Sequence, residues 1–247
     1  MSDITTKILL ESELKELAPD FHFLENTSPF ESAFKNWYYK YDHALGYKNS
    51  KKLNVIFIGQ TGYGKSSLIN KLIDKDVFET SDYQSCTKTL QSANFFLNHS
   101  KKNEYISYVL SFVDLPGIGE NDKEDEKYLQ WYKDYINEAS VIVYLFRADK
   151  RDHTQDEFFF RNIFDDHLKN NLVCVISQAD KIEPINRSYD LSDAQKQNLC
   201  LKENEIKNKP FLCFDSLPVV HVSSHLNINI DKLRGAIVGV LNTLKSG

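Results

Sequence analysis

The sequence predicts an α/β fold: a mostly parallel six-stranded sheet with one antiparallel strand, helices on both faces, and helices N-terminal to it. Three observations carry this. Short apolar runs alternate with helical patterns along the chain, as parallel strands and their crossover helices require. Runs at 140–146 and 172–176 are continuously apolar, the pattern of strands covered on both faces. The apolar run Leu53 to Ile58 leads straight into Gly59-Gln60-Thr61-Gly62-Tyr63-Gly64-Lys65-Ser66, followed by the helical pattern Leu68, Ile69, Leu72 and Ile73. Strand, glycine-rich loop and helix in that order make an anion cradle, because the loop N–H groups and the positive end of the helix dipole converge.

In chain order, residues 1–50 form an N-terminal helical segment and 51–247 the nucleotide-binding domain. The first segment holds a weak helical pattern (Ile8, Leu9, Leu14, Leu17) and a stronger one beginning at Ser28-Pro29-Phe30-Glu31, which reads as N-cap, first-turn Pro and capping-box Glu. Phe30, Phe34, Trp37, Tyr38, Tyr41 and Leu45 share one face of it, a stripe suited to packing against the domain or, alternatively, to a partner or membrane interface. After the loop helix comes a polar stretch, 78–90. Strands at 91–97 and 105–113 then form a hairpin through the turn Asn98 to Asn103.

The second hairpin strand runs into Asp114-Leu115-Pro116-Gly117, which places a carboxylate at a strand end, and Glu120 to Lys127 is a solvated charge run. A helical pattern follows (Tyr128, Leu129, Trp131, Tyr132, Tyr135, Ile136). The buried-type strand 140–146 comes next, then a helix capped by Thr154 and Glu157 that carries Phe158, Ile163 and Leu168. Leu172 to Ile176 is a strand leading into Ser177-Gln178-Ala179-Asp180, and 181–192 is a loop. The remaining elements are a helix at 193–207, a strand at 217–222 and a last amphipathic helix on Ile230, Leu233, Ile237, Leu241 and Leu244.

Composition narrows the partners. A net charge of −5 gives no general attraction to nucleic acid or anionic lipid, so ribosome or RNA binding is not supported by charge. The four cysteines lack C-x-x-C spacing, and nothing resembles a secretory signal, which places free thiols in a reducing cytoplasmic setting. No apolar run approaches the roughly 20 residues that span a bilayer.

The motifs form a series: phosphate loop, threonine-bearing polar segment, D-x-x-G after a strand, an Asp four residues beyond a later strand, and Ser223-Ser224 after the last one. This order resembles the guanine-nucleotide domain of the translation-factor-like P-loop GTPases over about residues 52–245, and within them the bacterial Era-like and immunity-related GTPases. The resemblance implies GTP or GDP with Mg²⁺ as ligands. Gly59, Thr61, Gly62, Tyr63, Gly64, Lys65, Ser66 and Ser67 would hold the phosphates. Ser66, Asp114 and Thr87 would serve the metal, with Thr89 as the alternative switch threonine. Lys65 and Thr87 would act on the γ-phosphate, towards which Gly117 offers its N–H. Asp180 would read guanine, with Gln178, Ser223 and Ser224 beside it.

Several positions depart from the family pattern. Gln178 stands where N-K-x-D has Lys, which removes a charged stem from over the base. Ile118 stands where Ras-like members carry the water-positioning Gln, so intrinsic hydrolysis is expected to be slow and to draw a catalytic group from a partner or from self-association across the nucleotide face. Arg147, Arg151 and Asp152 are candidates within the chain. Gly62 replaces the Asn of K⁺-activated members, so no K⁺ dependence is expected. Two other readings remain at this level: a nucleotide-stabilised interaction module with little turnover, and a kinase or ATPase, against which Asp180 stands.

Overall fold

The computed structural model describes residues 21–23, 51–80, 91–101, 104–118, 132–185, 190–212 and 217–243. Seven strands form one sheet: β1 (Phe21–Phe23), β2 (Lys51–Gly59), β3 (Gln91–Lys101), β4 (Glu104–Asp114), β5 (Val141–Arg147), β6 (Leu172–Ser177) and β7 (Val219–His221), in the order β1-β3-β4-β2-β5-β6-β7. β3 and β4 are antiparallel; the pairs β2–β4, β2–β5, β5–β6 and β6–β7 are all parallel. The six expected strands are all present. The seventh, β1, pairs parallel with β3 at the sheet edge, so part of the segment read as helical is extended. The two helical patterns expected on either side of it lie outside the described residues.

Strand periodicity explains why one sheet supports two cores. In β5, Val141, Val143 and Leu145 enter a cluster with Val55, Phe57, Val173 and Val175, covered by α1 (Lys65–Ile73) and α4 (Ile230–Thr243). The intervening Ile142, Tyr144 and Phe146 enter the opposite cluster with Ile56, Ile58, Cys174 and Ile176. That face is covered by α2 (Thr154–Asn162), α3 (Asp193–Lys207) and the helical residues 132–137. Because successive side chains point to opposite faces, a strand buried on both must be apolar throughout.

Local departures from the sequence reading have local causes. The hairpin turn is tighter than Asn98 to Asn103, because β3 runs on to Lys101 and β4 starts at Glu104, and cross-strand pairing extends to Lys101 and Glu104. The Thr154/Glu157 capping box does not form. Thr154 is already helical, and its N–H and hydroxyl both donate to Asp152 Oδ1, at 2.9 and 2.7 Å. Helix α2 ends at Asn162, and Leu168 lies on the separate 3₁₀ turn Asp166–Asn171. A five-residue step rotates about 140° round a helix, so Ile163 and Leu168 reach one core only if the helix breaks between them.

A capping box does form at α3, where Ser192 and Gln195 satisfy each other's backbone N–H. Among the described residues no helix is long and apolar enough to cross a membrane.

Candidate functional site

Parallel strands deliver their C-terminal ends to one edge, and register sets the spacing there. Phe57 pairs with Asp114, Gly59 with Leu145, Arg147 with Ser177, and Ile176 with His221. The loop after β2, the Asp ending β4, the turn after β6 and the serines after β7 therefore line one crevice, where ligands of open α/β sheets bind.

The phosphate loop has the geometry its residues imply. Gly59 closes β2, Thr61 is half-buried, Gly62 is exposed and Tyr63 is buried. Gly64 is the N-cap of α1 at φ 80°, a left-handed conformation that glycine adopts without Cβ strain. Lys65, Ser66 and Ser67 form the first turn. Lys65 is 6% exposed, and its ammonium donates to Gly59 O at 3.2 Å, so the side chain folds back over the mouth of the loop.

Ser66 Oγ donates to Asp114 Oδ2, which brings the hydroxyl after the loop and the carboxylate from β4 into direct contact. Asp114 is fully buried. Among the described residues no group of three or more His, Cys, Asp and Glu could hold a metal by itself. A hydroxyl and a carboxylate side by side are nonetheless the hard oxygen pair that suits Mg²⁺, which keeps its remaining positions for phosphate oxygens and water.

The segment after Asp114 lies on the loop. Ile118 N–H donates to Gly59 O at 3.3 Å, and Thr61 N–H donates to Ile118 O at 3.4 Å. Tyr132 holds the neighbouring Pro116 carbonyl with its hydroxyl. A Cβ on Gly117 would stand 2.0 Å from Thr61 Oγ1 and 2.6 Å from the Thr61 backbone. Gly117→Ala is therefore expected to lower stability by about 1–3 kcal/mol, as overpacking does, read from urea midpoints; an unchanged midpoint would show that the contact yields freely.

At the far end of the crevice, Asp180 Oδ1 accepts from Ser223 Oγ at 2.6 Å, and Ser223 is fully buried. Gln195, also buried, donates to the carbonyls of Asp180 and Ile182, both at 3.2 Å. Gln178 adopts a left-handed conformation (φ 53°), and its amide reaches across to donate to Gly62 O at 2.8 Å. Gln178 thus ties the turn after β6 to the phosphate loop. Ser224 follows Ser223, half-buried.

Arg147 forms a bidentate pair with Asp149 (2.6 and 2.8 Å) and sits 6.0 Å from the Tyr63 ring centroid. Its hydrogen bonds hold the Asp149 carboxyl below the usual carboxylate range. Asp152 caps Thr154, and Arg151 is exposed. The structure thus engages Arg147 and Asp152 locally. Thr87 and Thr89 lie outside the described residues, as do most of the polar stretch 78–90 and the charge run.

Sequence reasoning placed the loop, Asp114, Asp180 and Ser223 at one site, but it missed Gln195. Gln195 had a usable signal, the Ser192-x-x-Gln195 spacing.

A family model described as 50S ribosome-binding GTPase matches residues 54–178. The chain is 34% identical over 145 residues to YkfA of Escherichia coli K12, covering 59% of this chain and 48% of that protein, so it spans about half the length of that relative. It is 30% identical over 220 residues to the probable GTP-binding protein EngB of Mycoplasmopsis pulmonis, covering 86% of this chain and 95% of that one. The structure resembles a variant of Aquifex aeolicus Era bound to GDP and AlF₄⁻, with a TM-score of 0.57 at 25% identity over 77% of this chain and 57% of that one. The chain therefore belongs to the 50S ribosome-binding GTPase family and has an Era-like P-loop GTPase fold.

Proposed function

We propose that the chain is a cytoplasmic guanine-nucleotide switch that hydrolyses GTP slowly with Mg²⁺ and is accelerated by a partner or by self-association. The observation that supports this most directly is the convergence at one sheet edge of Lys65, the Ser66–Asp114 pair and the Ser223-braced Asp180. In this reading the loop amides and Lys65 take the β- and γ-phosphates. Ser66 and Asp114 would hold Mg²⁺, whose charge neutralises the phosphate oxygens. Asp180 accepts from the two guanine donors. Gly117 directs its N–H at the γ-phosphate, and Thr87 closes over it.

Slow turnover follows from Ile118, which is buried and apolar and has no group to orient water. Arg147 is paired with Asp149. A catalytic group supplied from outside adds about 10³–10⁵-fold in GTPases that use one. The net charge of −5 favours a protein effector over a phosphate backbone.

Titration with fluorescent GDP, GTP and ADP in Mg²⁺, followed by multiple-turnover hydrolysis over a range of protein concentrations, tests the proposal. Guanine-only binding is expected, with a low turnover number that rises with protein concentration or on adding the effector. Equal binding of ADP would remove the guanine reading. Binding without any turnover would leave a nucleotide-stabilised interaction module.

A further inference from the structure

Beside the phosphate loop lies a buried polar chain that the nucleotide chemistry does not use. Its centre is Asp156, in the first turn of α2 and fully buried. Its Oδ1 accepts from Gln60 Nε2 at 3.2 Å and from Tyr144 OH at 2.9 Å, and its Oδ2 meets His153 Nδ1 at 2.9 Å. His153 Nε2 lies 3.1 Å from Lys202 Nζ. Lys202, 6% exposed, also donates to Lys150 O at 2.7 Å and to Glu205 Oε2 at 3.0 Å.

Chemistry fixes the direction of each bond. An ammonium only donates, so His153 Nε2 accepts from Lys202 and Nδ1 carries the proton that goes to Asp156. The carboxylate therefore receives three donors, and a buried cation stands one imidazole away. A carboxylate this deep is tolerable only when saturated in that way. Its charge is felt nearby: burial foremost, and then Asp156, raise the Tyr63 and Tyr144 phenols above their ordinary range.

One of the three donors belongs to the phosphate loop. Gln60 is its second residue; its carbonyl accepts from Tyr63 N–H at 3.3 Å, and it forms a β-bridge with Ile118. The other two, Tyr144 and His153, come from β5 and the start of α2. The bond from Gln60 thus ties the loop to a rigid element in the core rather than to solvent. A loop that gathers parallel N–H dipoles repels itself until an anion arrives, and an anchor of this kind holds it open beforehand, which lowers the ordering entropy of binding.

We propose that Asp156 is a positioning residue for nucleotide binding: it holds Gln60, and through it the phosphate loop, in binding shape, while His153 and Lys202 keep the carboxylate aimed at the loop. This inference rests on the nucleotide reading proposed above. Since the loop cradles the β-phosphate, GDP and GTP are affected alike.

The test measures dissociation constants for fluorescent GDP and a fluorescent non-hydrolysable GTP analogue in Mg²⁺ on the full chain, with thermal midpoints alongside. Asp156→Ala and Gln60→Ala are each expected to weaken both nucleotides by about tenfold, the range of a charge-assisted hydrogen bond. The double variant is expected to be no weaker than the weaker single, because both remove one bond. Tyr144→Phe strips Asp156 of a donor that does not belong to the loop; its midpoint should fall while affinity stays within about twofold.

Multiplying effects in the double variant, or a Tyr144→Phe loss equal to that of Gln60→Ala, would overturn the inference and make Asp156 merely structural. If Asp156→Ala does not fold, Gln60→Ala against Tyr144→Phe decides alone. Failure of the unaltered chain to bind guanine nucleotides would instead sink the proposed function itself.

Discussion

Replacing Asp180 with Asn is expected to lower GDP and GTP affinity by at least about a hundredfold and to shift preference towards xanthine nucleotides. The carboxylate is held in a fixed orientation. Ser223 Oγ takes one lone pair of Oδ1 at 2.6 Å, Gln195 holds the Asp180 carbonyl, and Ala179 N–H donates to Val222 O at 2.9 Å. An ionised carboxylate offers its remaining lone pairs as acceptors only. Guanine presents two adjacent donors to such a group, and adenine does not.

An amide at 180 turns one acceptor into a donor, which opposes a guanine donor but meets the additional carbonyl of xanthine. With Ser223 Oγ donating to Oδ1 of the amide, the new Nδ2 donor takes the other carboxylate position and the mismatch is not relieved. Titration of Asp180→Asn with fluorescent GDP and xanthosine diphosphate reads the effect. Undiminished GDP binding would show that the turn after β6 does not read the base.

Lys65→Ala is expected to reduce kcat/KM for GTP by about three orders of magnitude, with the fold retained. An ammonium and a phosphate oxygen about 4 Å apart interact by about 4 kcal/mol at the effective dielectric of a partly buried site, and each 1.4 kcal/mol is tenfold. Lys65 is already in place for this. It is buried, and its Nζ sits on Gly59 O, so little conformational entropy is left to lose when a phosphate arrives. The alanine variant vacates a position at the mouth of the loop rather than in either apolar cluster, so its thermal midpoint should change little while binding and single-turnover hydrolysis collapse together. A variant that bound GTP normally and lost only the chemical step would assign Lys65 to the transition state alone; one that kept both would remove it from the site.

The two expectations differ in how they became visible. Lys65 is legible in eight consecutive residues, because strand, loop and helix are local and the spacing of Gly59, Gly64 and Lys65 is set by backbone geometry within one turn. The continuous apolar strands and the helix at 193–207 were legible for the same reason, since periodicity is a property of neighbours along the chain. The short edge strand Phe21–Phe23 was not. Three residues carry no measurable period, and only pairing with β3 holds them extended.

Capping shows the limit of local rules. Ser192-x-x-Gln195 and Thr154-x-x-Glu157 have the same pattern, yet only the first caps a helix. Asp152 lies two residues before Thr154 and takes its N–H and hydroxyl together, and His153 and Asp156 in the same turn are drawn into the chain that ends at Lys202.

By itself, then, the sequence determined the α/β class and the order of strand, glycine-rich loop and helix, which follow from residue type and short spacing, while the roles expected at 114, 118 and 180 came from the resemblance to P-loop GTPases. Only the tertiary structure decided how these parts act together: that Ser66 meets Asp114, that Ser223 braces Asp180, that the Gln178 amide reaches Gly62, and that Asp156 reaches Gln60 from 96 residues away. The reason is physical. Each of these is one hydrogen bond between side chains or carbonyls far apart in sequence, and which of the available polar partners meet is set by the register of a parallel sheet that brings distant strand ends to one edge.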